Sequence, residues 1–280
     1  MTAILSSIKG RALGLSAEST IGAAKGKSSL VSRGGFVGGE RGNAIALPSP
    51  STISFFDDFL GDVIADQWGT LEGTDSGTTD AAILSGGIGG VLRLTTGDAG
   101  TGLAADQVQI VQALQWQASN GGLVFQTRLK LSAITTCYVF VGFTDLAATL
   151  EGPIVSAASA DTITTNATDA VGFMFDTRMS TDNWWLVGVA NDVDATAQNS
   201  GYAPVADDYE TLRIEVASDG KATFFRNGLQ VGTQMSGAVT AGIDLTPTIT
   251  VSKTSVAASM TMDVDYVHVA MTRAADGDAT

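Results

Sequence analysis

The sequence predicts an all-β chain, an antiparallel two-sheet sandwich preceded by an extended N-terminal arm. Three observations predict it. At least nine short strand-like runs follow one another from residue 53 onward, separated by turn signals. Glycine is frequent, at 33 of 280 residues, while charged residues make up only 16%. That balance, with abundant Thr, Ala and Val, favours strands and turns over exposed helices. Little of the chain carries the 3.6-residue period of an amphipathic helix.

Residues 1–52 form the arm. They are rich in Gly, Ser and Ala, with the pairs Gly34-Gly35 and Gly38-Gly39 and a single aromatic, Phe36. Neither the helical nor the strand period persists there, and such a segment buries too little apolar surface to offset its chain entropy. It is expected to be ordered by a partner, in an assembly of subunits. Residues 53–273 are expected to form the sandwich and 274–280 a tail. The strand candidates are 90–95, 122–130, 138–144, 170–176, 184–189, 210–216, 222–226, 248–251 and 260–271. Asp219-Gly220 and Asn227-Gly228 are turn signals, and 212–216 with 223–226 read as a hairpin with one wet face. In the last strand Met262, Val264, Tyr266 and His268 share one face on strict alternation, but the apolar pattern switches midway, which predicts a bend. Segment 105–117 fits a helix or a strand and stays open.

Charge divides the chain. Residues 1–50 carry six Lys/Arg and two Glu, a net +4; the rest carry nine Lys/Arg and 27 Asp/Glu, a net −18. An acidic body argues against nucleic-acid binding by the sandwich. The arm cations Lys9, Arg11, Lys25, Lys27, Arg33 and Arg41 are the expected partner-binding residues, set against an acidic surface of this chain or a neighbour. The one cysteine, Cys137, lies in an apolar run and reads as a buried, inert thiol; it excludes a disulfide framework within the chain. No run reaches the ~18 apolar residues of a membrane span. Lys9 and Arg11 interrupt the N-terminal apolar residues, so no signal peptide is expected.

Phe56-Asp57-Asp58-Phe59 followed by Gln67-Trp68 resembles the first strand of concanavalin A-like jelly rolls. The stretch from Tyr209 to Val216, then Asp219-Gly220 and the run from Phe225 to Gly232, resembles the laminin-G-like hairpin of that superfamily, and the run from Met262 to Val269 resembles its last strand. The whole chain, arm included, also resembles virion structural proteins of tailed bacteriophages, in residues 56–60, 89–96, 164–173 and 205–215. That resemblance implies a non-catalytic capsid decoration (cement) protein on the virion surface. It would be a homo-oligomer binding the major capsid protein and neighbouring copies of itself. The alternative is a carbohydrate-binding module of a phage tail or fibre, with a glycan as partner.

The residues that would carry chemistry are few. The resemblance implies that hydrolases of this superfamily carry a Glu-x-Asp-x-x-Glu pattern on one strand, its three carboxylates serving as nucleophile, helper and acid. That triplet is missing, and Glu210 and Glu215, five apart, fall on opposite faces of a regular strand. His268, the only histidine, sits in an apolar-rich strand and reads as structural. The expectation is therefore no catalysis. Asn191-Asp192-Val193-Asp194 and Asp207-Asp208 offer hard oxygens for calcium, but turn formation explains them equally, and no cofactor or metal is expected. Trp184-Trp185 is the conspicuous aromatic pair. Neighbours on a strand face opposite ways, so one should enter the core and the other reach a ligand or interface.

Overall fold

The computed structural model describes residues 36–38, 44–46, 51–74, 79–86, 89–98, 103–157, 161–255 and 258–273, the first two segments as backbone. The chain divides into two units, Met1–Ile53 and Ser54–Thr280. In the first unit β1 (Phe36–Gly38) pairs antiparallel with β2 (Ala44–Ala46). The arm cations Lys9, Arg11, Lys25, Lys27, Arg33 and Arg41, and the tail 274–280, lie outside the described residues.

Next come β3 (Thr52–Asp57), which enters the second unit at Ser54, β4 (Gly69–Glu72), β5 (Asp80–Ile83), β6 (Leu92–Thr95), the one-turn helix α1 (Leu103–Asp106), β7 (Val108–Val111), β8 (Leu123–Leu131) and β9 (Cys137–Thr144). Then follow β10 (Ile154–Ser156), β11 (Ile163–Thr165), β12 (Ala170–Asp176), β13 (Trp185–Ala190), β14 (Val193–Asp194) and β15 (Gln198–Asn199). The last five are β16 (Glu210–Val216), β17 (Ala222–Arg226), β18 (Leu229–Met235), β19 (Thr246–Lys253) and β20 (Thr261–Thr272). They form two antiparallel eight-stranded sheets. Sheet I runs β14-β13-β12-β9-β19-β7-β4, with β15 on β13; sheet II runs β18-β17-β16-β8-β20-β6-β5, with β3 on β20. This is a jelly-roll sandwich, as the sequence predicts.

The core lies between the sheets. Sheet II contributes alternate residues: Leu123, Phe125, Leu129 and Leu131 from β8, and Leu212, Ile214 and Val216 from β16, all buried. Sheet I answers with Val139, Val141, Phe143, Phe173, Phe175, Ile249 and Val251. Phe125 meets Phe143 edge-on at 5.8 Å, and Phe173 meets Phe224 at 5.3 Å. Each such side chain withdraws roughly 1.5–3 kcal/mol of apolar surface from water. Strands β9, β12 and β19 are buried along their whole length, which explains the near-continuous apolar runs of β9 and β12; β19 instead alternates apolar residues with buried Thr and Ser. At the centre Gly172 faces Gly142 across β12 and β9; a Cβ on Gly172 would stand 2.6 Å from the Phe140 ring.

Local chemistry sets the connections. Asn227 and Gly228 both take positive φ, 50° and 81°, and close the two-residue turn between β17 and β18. The bend predicted in the last strand is a β-bulge: Val264 pairs with Leu129 and Tyr266 with Arg128, leaving Asp265 as the extra residue. Its consequence corrects the face assignment. Met262 and Val264 point into the core, as do Val267 and Val269 beyond the bulge, so Tyr266 and His268 are turned to the open face. The ambiguous 105–117 segment resolves into the end of α1 followed by β7.

Candidate binding face

The two sheets present opposite kinds of outer surface. On sheet I, alternation puts Tyr138 and Phe140 of β9, Met174 and Asp176 of β12, and Trp185, Val187 and Val189 of β13 on the outer face. All are buried, because the hairpin of β10 and β11 packs over them in a second apolar cluster. Polar bonds fasten that cover. Tyr138 Oη donates to the Ile154 carbonyl at 2.8 Å, and the Ser156 amide donates to Asp176 Oδ2 at 3.0 Å. Arg178 forks onto the same carboxylate at 2.9 and 2.6 Å, which raises the Arg178 pKa and offsets the cost of burying Asp176. Burial drives the Tyr138 phenol well above its ordinary pKa. Further along, the face turns polar but stays closed: Thr246, Thr248, Thr250, Ser252, Gln107 and Gln109 are all buried.

The outer face of sheet II is open. Its strands alternate buried and half-buried residues, and the half-buried set is aromatic, cationic and amide-bearing. One row crosses five strands: Phe225 of β17 opposite Arg213 of β16, Arg213 opposite Gln126 of β8, Gln126 opposite His268 of β20, and His268 bonded at 3.2 Å to Ser54 Oγ of β3. Phe56, 58% exposed, closes the row, stacked on Tyr266 at 5.8 Å and tilted against His268 at 6.4 Å. Gln126 Nε2 donates to Tyr266 Oη at 2.6 Å. The Arg213 guanidinium lies 5.4 Å from the Phe225 ring centre, and Arg128 lies 4.3 Å from that of Tyr209. A groove of about 510 Å³ opens among Gln126, Thr211, Arg213, Phe225, Asn227 and Gly228.

The charges of this face are internally paired. Arg93 and Lys130 meet Asp263 at 2.7 and 3.4 Å, Arg128 meets Asp265 at 2.7 Å, and Arg213 meets Glu215. The accessible pairs Arg128–Asp265 and Arg213–Glu215 add little stability, whereas Asp263 is buried beneath its two cations; these pairs and the ring contacts hold long side chains in fixed positions. Burial, and then the neighbouring Arg213, lower the His268 pKa, so its imidazole is neutral at pH 7 and offers one donor and one acceptor. Burial also raises the Tyr209 pKa, keeping its ring neutral beneath the cations.

Of the residues expected to act, Trp184 and Trp185 do point to opposite sides of sheet I, but neither is exposed: they are 0% and 4% accessible. Trp184 packs against Phe173 and Phe175 and donates to Glu210 Oε1 at 2.8 Å. Trp185 lies under the β10–β11 cover. Among the described residues the exposed aromatics are Phe56 and Tyr202, while Tyr266 and Phe225 are half-buried on the open face. Glu210 and Glu215 do face opposite ways: Glu210 is buried against Trp184 and Arg226, and Glu215 lies on the open face. Asn191, Asp192 and Asp207 adopt left-handed φ of 50°, 61° and 62°, and the Asp192 amide donates to the Thr168 carbonyl, which fits their turn role. Among the described residues no three or more His, Cys, Asp or Glu side chains converge as metal ligands. Two carboxyls hold their protons more tightly than usual, both chiefly through burial: Glu210, opposed by Trp184 and Arg226, and Asp145, beside Asp169.

The platform residues were readable only in part. The sequence marks 122–130 as a strand without assigning its faces, and gives one wet face to the hairpin of 212–216 with 223–226. Tyr266 and His268 were missed because the bulge at Asp265 reverses the alternation.

Solved structures share the jelly-roll sandwich that carries this open face. A β-glucanase from Bacillus licheniformis matches with a TM-score of 0.53 at 13% identity, covering 77% of this chain and 97% of the other. An endo-1,3-β-glucanase (laminarinase) catalytic domain from Thermotoga petrophila matches at 0.52 and 11%, covering 79% and 97%. The carbohydrate recognition domain of Emp47p matches at 0.51 and 10%, covering 79% and 95%. No family model matches the sequence, and no curated protein matches it by sequence search. At these identities the likeness establishes the fold. These neighbours include glucanases and a carbohydrate recognition domain, and none is a virion protein by its description. They also overturn the expectation that the chain is not an enzyme. That expectation rested on a missing carboxylate triplet, whereas several structures sharing this architecture are glycoside hydrolases.

Proposed function

We propose that this protein recognises a carbohydrate on the open face of sheet II. The observation that carries the reading is the row Phe225–Arg213–Gln126–His268–Ser54, ended by Phe56 and Tyr266. A pyranose has an apolar C–H face and a rim of hydroxyls that both donate and accept. Flat aromatic rings stack on the first. Amide, guanidinium, imidazole and hydroxyl groups at fixed positions bond the second without ordering cost at the moment of binding. The carbohydrate-related fold neighbours support the same reading. Binding to a capsid lattice rests on the resemblance in residues 56–60, 89–96, 164–173 and 205–215 and on the arm cations, and draws no support from these neighbours.

The test is calorimetric titration against a panel of soluble polysaccharides, with released reducing ends measured in the same samples. Saturable binding to at least one neutral polysaccharide, weakened about tenfold by Phe56→Ala, is the expected result. A folded protein that binds none of the panel would remove the proposal.

A further inference from the structure

We infer that the ligand is an uncharged, linear polysaccharide bound along its length, its chain running perpendicular to the strands of sheet II. The inference rests on the carbohydrate reading above and deepens it. The contact groups are not gathered round one pocket. They recur once per strand over β17, β16, β8, β20 and β3. Neighbouring strands stand ~4.8 Å apart, so these four steps span roughly 19 Å. That repeat is close to the advance of one pyranose in an extended linkage, and the row therefore fits about four rings. The aromatic groups stand at its two ends, Phe225 at one and Phe56 with Tyr266 at the other, with hydrogen-bonding groups between them. A single terminal sugar could touch only one end.

Charge selects the polymer class. The face carries Arg93, Arg128, Lys130 and Arg213, but each is already paired with Asp263, Asp265 or Glu215. A sulfated or uronic chain would have to displace Asp265 or Glu215 from its cation, on a body of strongly negative charge. A neutral chain bonds to the outward N–H and O–H groups and leaves the pairs intact.

The experiment measures affinity for oligosaccharides of two, four and six units cut from linear β-glucan, β-mannan and β-xylan, with dextran sulfate as the charged comparison. Affinity should rise at least tenfold from two units to four for the preferred polymer, change little from four to six, and be insensitive to salt. Phe56→Ala and Phe225→Ala should each lower six-unit affinity about tenfold while leaving two-unit binding within threefold. Phe225→Leu and far-ultraviolet circular dichroism guard against an unfolded variant. Equal affinity for two and six units would overturn the extended-chain inference while the carbohydrate reading stands. Preference for dextran sulfate, collapsing with salt, would overturn the neutral class. Failure of every length of every polymer to bind folded protein would overturn both.

Discussion

Replacing Arg226 by alanine should destabilise the sandwich by about 3 kcal/mol at pH 7, and the loss should shrink in acid. Glu210 is only 5% accessible. Its carboxylate accepts one bond from Trp184 Nε1 at 2.8 Å and one from Arg226 Nε at 2.5 Å. Arg226 also lies 5.2 Å from the centre of the Tyr202 ring. Without Arg226 the buried charge keeps a single neutral donor. Breaking a buried pair in this way costs about 3–5 kcal/mol. The Arg226 side chain is 19% accessible, which places the expected loss at the lower end. The lost ring contact adds ~0.5–1 kcal/mol. Burial already raises the Glu210 pKa, and Arg226 opposes that rise, so in the variant it climbs further. A carboxyl with a raised folded pKa binds more protons folded than unfolded. Its stability is therefore greatest below the unfolded pKa and is lost as pH rises through the folded one. The variant should thus recover towards wild type as pH falls, leaving a deficit of about 1 kcal/mol, the ordinary cost of a lost bond. Urea unfolding followed by tryptophan fluorescence reads this directly, since Trp184 is part of the network. Glu210→Gln combined with Arg226→Ala should be more stable at pH 7 than Arg226→Ala alone. A loss below 1 kcal/mol at pH 7, or an equal loss at pH 5 and pH 7, would refute the reasoning.

The alkaline limb of stability offers another test. Burial pushes the Cys137 thiol up to about 12 from 9.0, so the unfolded chain releases this proton first. Stability should fall as pH rises above 9, by about 2 kcal/mol at about pH 10.5, and Cys137→Ala should flatten that fall by the same amount. Denaturant midpoints measured from pH 8 to about 10.5 check it, and an unchanged slope in the variant would contradict it.

The sequence exposed the sandwich best where both faces of a strand are committed. The runs 170–176, 210–216 and 222–226 coincide with β12, β16 and β17, because continuous apolar residues or clean alternation leave one register that buries them. It exposed the edges worst. β4 and β5 are four residues each, and β18 shows an irregular burial pattern; edge strands are selected for pairing and solubility more than for a core period. The cover over sheet I was equally silent. A hairpin of two three-residue strands, fixed by Tyr138 and Asp176, leaves no periodic trace, and Trp185 lies in the cluster beneath it. The binding face shows the same limit. The sequence marks β8 as a strand without its faces, and Tyr266 and His268 reach the open face only through one extra residue, Asp265, whose signature is a mere change of pattern.

The most direct test of the central claim, that the open face of sheet II holds the ligand, is nuclear magnetic resonance mapping. A six-unit neutral oligosaccharide is added to isotope-labelled protein, and the Gln126 side-chain amide, the His268 ring and the Phe56 and Phe225 rings are followed. The account predicts saturable shifts in all four, with the buried Trp185 indole unmoved. Saturable binding that shifts Trp185 and its sheet I neighbours while those four stay still would contradict it.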